Sequence, residues 1–211
     1  MNNTLITDQD HVLASNAYRE ADPPLPTVAI VGRPNVGKST LFNRLLGFRK
    51  AIESQFPGTT RDFLDHEVEA RVPFKLLDIA GIVDSNKKDL IDEIEANVQD
   101  QASFAIEKAD LLIFLVDAQE EITHEDLSVA ELIRKSGKSF LFACNKCEGK
   151  SETDVFDFSS LGLGLPMMIS AVHKVGLEKL KENIVSLLLN LGFEKTTKKK
   201  ALRQKSLVCH S

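Results

Sequence analysis

Apolar and polar positions change period several times along this 211-residue chain, and each change predicts an element. Residues 28–31 form a continuous apolar run, and a helix-like stretch follows at 40–46. Leu64, His66, Val68, Ala70 and Val72 then alternate with Asp65, Glu67, Glu69 and Arg71, the period of two that marks a half-exposed strand. Pro73 turns the chain into residues 74–78, the expected antiparallel neighbour. Three further apolar runs, 111–116, 140–143 and 167–169, suit strands buried on both faces of a parallel sheet. Helical patterns separate them. Thr123 and Asp126 have the spacing of a capping box, and Leu127, Ala130 and Ile133 share a face beyond it. The last helix is expected from about Gly176, with Leu177, Leu180, Ile184, Leu187 or Leu188, and Leu191 as its buried stripe. Strands separated by helices predict an α/β fold: a doubly wound, mostly parallel sheet with one antiparallel edge strand and helices on both faces. Ligands of such sheets sit beyond the C-terminal strand ends.

The same pattern divides the chain into three parts. Residues 1–26 are polar, end in Asp-Pro-Pro-Leu-Pro and read as a disordered arm. Residues 27–193 form the globular domain, with enough apolar residues for a real core (43% of the whole chain). Residues 194–211 form a basic tail, with six Lys and Arg against a single acid, which leaves 20 Lys+Arg against 30 Asp+Glu in residues 1–193. An acidic body with a basic tail can place that tail on RNA or another polyanion, although a solvated end or linker stub explains it more simply.

No apolar run approaches the ~18 residues of a membrane-spanning helix. The first 27 residues lack the basic start and apolar stretch of a secretory signal and are too acidic for a transit peptide. Three cysteines, Cys144, Cys147 and Cys209, suit a reducing compartment, so a cytoplasmic location is expected.

Chemistry enters at Gly32-Arg33-Pro34-Asn35-Val36-Gly37-Lys38-Ser39, which fits G-x-x-x-x-G-K-[ST] between the first apolar run and the first helix. Backbone N–H groups of such a loop cradle nucleotide phosphates. Gly32 and Gly37 allow close approach, Lys38 reaches the β- and γ-phosphates, and the Ser39 hydroxyl ligates Mg²⁺. Thr40 continues the motif into the helix. The fold class is therefore that of a P-loop NTPase. Asp78-Ile79-Ala80-Gly81 closes the third expected strand, where Asp78 can hold Mg²⁺ through water and the Gly81 N–H can meet the γ-phosphate. Pro57-Gly58-Thr59-Thr60 lies in the long loop after the first helix, and Thr60 can complete the Mg²⁺ shell.

Asn145-Lys146-Cys147-Glu148 ends the 140–143 run. Asn145 and the stem of Lys146 would flank a nucleobase, and the Glu148 carboxylate would accept from guanine N1 and N2. Ser170-Ala171, ending the next run, would offer a backbone N–H to guanine O6. Together these features favour guanine over adenine. Cys144-x-x-Cys147 coincides with this motif, has no second pair, and its nearest histidines, His124 and His173, lack ligand spacing, so no metal or redox role is read from it.

These motifs, in this order, resemble the Era-like group of translation-factor-like GTPases, and residues 28–188 resemble the first GTPase domain of the Der (EngA) proteins. The resemblance implies a GTP- and GDP-binding switch that hydrolyses GTP with Lys38, Thr60 and Gly81 around the γ-phosphate and assists large-subunit assembly through the ribosome or its RNA. It further implies that the Asn35 side-chain oxygen ligates K⁺ beside the phosphates. The family has threonine where this chain has Ile79, and aspartate where it has Glu148. Ile82 follows Gly81, where many GTPases carry a water-positioning glutamine, so slow intrinsic hydrolysis is expected. A docking module with negligible hydrolysis and an NTPase of relaxed base choice are the competing readings.

Overall fold

The structure is a computed structural model and describes residues 24–47, 65–77 and 98–194. The described residues form a six-stranded sheet: β1 (Thr27–Val31), β2 (Asp65–Val68), β3 (Phe74–Leu77), β4 (Leu111–Asp117), β5 (Ser139–Asn145) and β6 (Met167–Met168), in the order β2-β3-β1-β4-β5-β6. Only the edge pair β2–β3 is antiparallel. This is the expected P-loop NTPase arrangement. Every residue of β4 is buried, as the continuous run 111–116 requires of a central strand.

Among the described residues, four α-helices cover the two faces: α1 (Lys38–Leu46), α2 (Val98–Lys108), α3 (His124–Ser136) and α4 (Leu177–Asn190). Alternation along the strands sends successive side chains to opposite clusters. Val28, Ile30, Ile113 and Leu115 pack with Leu41 and Leu45 of α1 and Leu180, Ile184 and Leu188 of α4. Ala29, Val31, Leu112, Phe114 and Val116 pack with Ala102 and Ala105 of α2 and Val129, Ala130 and Ile133 of α3. The Phe114 and Phe142 rings stack within the second cluster at 5.3 Å. A 3₁₀ helix, Glu152–Leu161, links β5 to β6.

Three expectations need correction. The alternating stretch 64–72 is a strand only to Val68; residues 69–73 turn into β3, and Val72 is buried beneath that turn. Leu127 is 45% exposed, because α3 turns Asp126 inward in its place. Leu191 lies past the end of α4 and is 43% exposed, while Leu188 rather than Leu187 completes the buried stripe. At the start of the domain, Pro26 is buried and its carbonyl accepts the Lys75 amide, 2.8 Å away, so the last residue of the arm joins the sheet. No helix among the described residues is long and apolar enough to cross a membrane.

Candidate functional site

The phosphate loop leaves β1 at Gly32 and reaches α1 at Gly37. Both glycines are demanded by neighbours as well as torsion. Gly32 has φ +150°, and a Cβ there would sit 2.2 Å from the Leu115 carbonyl oxygen. Gly37 has φ +97°, and its Cβ would sit 2.3 Å from Asn145 Nδ2. No side chain caps α1, so its first backbone N–H groups remain open to an anion, which the helix dipole also favours.

Lys38 Nζ donates to the carbonyl oxygens of Gly32 and Arg33, each at 2.8 Å. An ammonium has three N–H bonds, so one remains for a phosphate oxygen. Burial, and then the neighbouring Arg33 charge, hold the Lys38 pKa below the usual lysine range. Pro34, Asn35 and Ser39 are exposed, Val36 is buried and Thr40 half-buried. Asn35 has φ +67°, a left-handed conformation that asparagine tolerates better than most residues.

The Arg33 side chain is turned away from the loop's amides. Its Nη2 pairs with Glu120 Oε2 at 2.7 Å, and its Nε donates to Asp126 Oδ2 at 3.3 Å. Arg33 thus brings its backbone to the site, while its guanidinium is engaged with α3 and the loop before it.

Asn145 ends β5 beside Asp117, its register partner at the end of β4. It is 2% exposed and both of its polar atoms are engaged: Nδ2 donates one N–H to the Val36 carbonyl, and Oδ1 accepts from the Ala171 N–H, each at 2.9 Å. Asn145 therefore ties the phosphate loop to the Ser170-Ala171 loop. The Ala171 amide expected to meet guanine O6 is engaged with Asn145 in this structure, so it can reach a base only by sharing or exchanging that bond. From α1, Arg44 Nε donates to the Ala171 carbonyl at 2.9 Å, a second tie to the same loop.

Lys146 adopts φ +61°, a conformation that costs a non-glycine residue about 1 kcal/mol or more and commonly marks functional sites. Its Nζ lies 2.5 Å from Asp117 Oδ2, whose side chain is 1% exposed. The Ser170 hydroxyl donates to Glu148 Oε1, and His173 Nε2 lies 3.9 Å from the same oxygen. The Ser170 bond is the main reason that the Glu148 carboxyl sits below the usual carboxylate range. A cavity of about 320 Å³ opens here, lined by Gly37 and Thr40 on one side and Asn145, Lys146, Glu148 and His173 on the other.

Loop, helix start and base motif thus share one cavity, as the sequence order implies. Thr60, Asp78 and Gly81 lie outside the described residues, as do Ile79 and Ile82. Sequence reasoning alone misses four contributors: Asp117, Glu120, His173, and Asp126 in any role beyond capping. Asp117 ends an apolar run and so carried a faint signal; the others depend on contacts across the chain.

A sequence profile of the 50S ribosome-binding GTPases matches residues 27–146. The chain belongs to this family. Within the family its domain is of the Der type. GTPase Der of Desulfitobacterium hafniense (strain DSM 10664 / DCB-2) is 46% identical over 163 residues, covering 76% of this chain and 36% of that protein. GTPase Der of Brucella anthropi is 43% identical over 164 residues, covering 77% and 33%. The chain therefore spans about a third of the curated relatives it matches. Among solved structures, the FeoB G-domain from Methanococcus jannaschii aligns with TM-score 0.50 at 30% identity, over 77% of this chain and 97% of that one. Era, solved with MgGDPNP and a segment of 16S ribosomal RNA, aligns with TM-score 0.57 at 27% identity, over 77% and 56%.

Proposed function

We propose that this chain binds GTP and GDP in the cavity between the phosphate loop and the base motif, and hydrolyses GTP as a switch that assists assembly of the large ribosomal subunit in the cytoplasm. The observation that carries the reading is Asn145. One amide joins the loop that would hold phosphates to the loop that would hold the base, so the two halves of a nucleotide site are built as a unit.

The oxygen donors expected from Ser39, Thr60 and Asp78 suit a hard dication such as Mg²⁺, and Ser39 is exposed on the first turn of α1. Bound with the nucleotide, such an ion neutralises phosphate charge. The protein's own share is positioning and electrostatics: the free N–H of Lys38 and the loop amides meet the phosphates, while Glu148 accepts from the guanine edge. Asn35, exposed beside Lys38, is the proposed K⁺ ligand. The switch segments are 48–62 and 79–93, and the 195–205 stretch of the tail supplies weak, salt-sensitive contact with RNA.

Single-turnover hydrolysis of GTP and ATP, with Mg²⁺ present and K⁺ or Na⁺ varied at constant ionic strength, tests the reading. GTP turnover several-fold faster in K⁺, with the difference erased by Asn35→Ala, is the expected result. Tight GTP binding without turnover in either salt would instead establish a docking module. Equal use of ATP would remove guanine selectivity.

A further inference from the structure

We propose that Asp126, on α3, is a positioning residue for the phosphate loop, acting through Arg33. The inference rests on the nucleotide-binding reading above. Asp126 has a 1% exposed side chain, and its Oδ2 gathers three donors: Arg33 Nε at 3.3 Å, Thr123 N at 3.1 Å and Thr123 Oγ1 at 3.0 Å. The two Thr123 bonds belong to the capping box at the start of α3, which the Asp126 amide completes by donating to Thr123 Oγ1. Capping needs no arginine. The third bond reaches 93 positions back along the chain to a guanidinium 9% exposed, with Glu120 on its outer side.

What that guanidinium fixes is the loop itself. The Arg33 carbonyl is one of the two oxygens that orient Lys38 Nζ. A chain of contacts therefore runs from Asp126 to the Arg33 side chain, through the Arg33 backbone, to the ammonium that meets the phosphates. Neutralising Asp126 leaves a nearly buried guanidinium with only the rim carboxylate of Glu120. The side chain is then drawn outward to water, and the Arg33 carbonyl shifts with it. Asp126 also keeps a second positive charge from competing with Lys38 for phosphate oxygens. Asp126 touches no nucleotide in this scheme.

Competition binding with GDP and GMP separates this role from simple stabilisation, because GMP lacks the β-phosphate that the loop encloses. Asp126→Asn keeps the shape and the helix cap but removes the charge. It is expected to weaken GDP binding about tenfold or more, while GMP binding stays within about twofold of the parent. Thr123→Ala weakens the cap and leaves the Arg33 contact, so it should lower thermal stability without altering the GDP-to-GMP ratio. In an Arg33→Met background, Asp126→Asn should no longer change that ratio, because both substitutions remove one contact. A parallel loss of GDP and GMP affinity in Asp126→Asn, an unchanged ratio, or additive effects with Arg33→Met would each overturn the proposal while leaving nucleotide binding intact. Failure of the parent protein to bind GDP would sink the functional reading itself, and this one with it.

Discussion

Asn145→Ala is the most informative single substitution, because the side chain is buried and both of its polar atoms bridge backbone groups. Truncation strands the Val36 carbonyl and the Ala171 N–H, both in residues with no exposure. A buried polar group left without a partner costs about 1–3 kcal/mol. Two such groups set a range of about 2–6 kcal/mol, and the adjoining cavity admits water, which favours the lower half. For an ordered domain of about this size, each kcal/mol shifts Tm by roughly 2–4 °C, so a fall on the order of 5–15 °C is expected without nucleotide. Differential scanning fluorimetry with and without GDP reads it directly, and the stabilisation by GDP should vanish as well. A second arm tests the geometry. Gly37→Ala places its Cβ against Asn145 Nδ2 in the parent, so it should cost less in the Asn145→Ala background, where only the torsional strain remains. A Tm within about 2 °C of the parent for Asn145→Ala would refute the bridging argument.

Three further outcomes follow from the same geometry. Glu148→Asp shortens the carboxylate by one methylene and is expected to raise the GDP-over-ADP affinity ratio several-fold; an unchanged or lower ratio would mean that the pocket is fitted to the longer side chain. Lys38 carries a folded pKa below its unfolded value near 10.5, so its charged form weakens the fold and that penalty is relieved as pH rises from the folded towards the unfolded value. In urea titrations the parent should therefore gain stability relative to Lys38→Met as pH rises towards that value, and a constant difference would contradict the assignment. Cys144 is buried, whereas Cys147 is half-buried, with its Sγ donating to the Cys144 carbonyl oxygen at 3.1 Å. With Cys209→Ser as background, iodoacetamide at neutral pH should label half-buried Cys147 and spare Cys144; equal labelling would show that the packing is wrong.

Local pattern made much of the fold legible. The run at 111–116 could hardly be anything but a buried strand, whereas Phe140 and Leu141 of the 140–143 strand are only half-buried, and the Thr123–Asp126 spacing marks a helix start that the structure reproduces. What periodicity missed were places where a polar contact overrode the apolar stripe. Leu127 looked like a core position, yet the helix rotates to bury a carboxylate because a distant arginine needs it. The strand through Val72 looked continuous, but alternation says nothing about where a turn lifts the chain off its partner. The site divides in the same way. Lys38, Asn145 and Glu148 were found through their fixed spacing from glycine, lysine or strand end. Asp117, Glu120 and His173 act through partners in other elements, and no local spacing records such pairs.

The close fit between Gly37 and Asn145 has a bearing on protein engineering. An amide 108 positions downstream fills the room that a loop side chain would take, so the loop's inner wall is furnished by another element. A graft of residues 24–47 onto a foreign sheet would carry the whole eight-residue signature and still lack that wall. The transplantable unit is the pair of strand ends after β1 and β5 together. A circular permutation that cuts between them preserves the site, whereas a two-fragment split at the same point makes nucleotide binding depend on reassembly of the fragments.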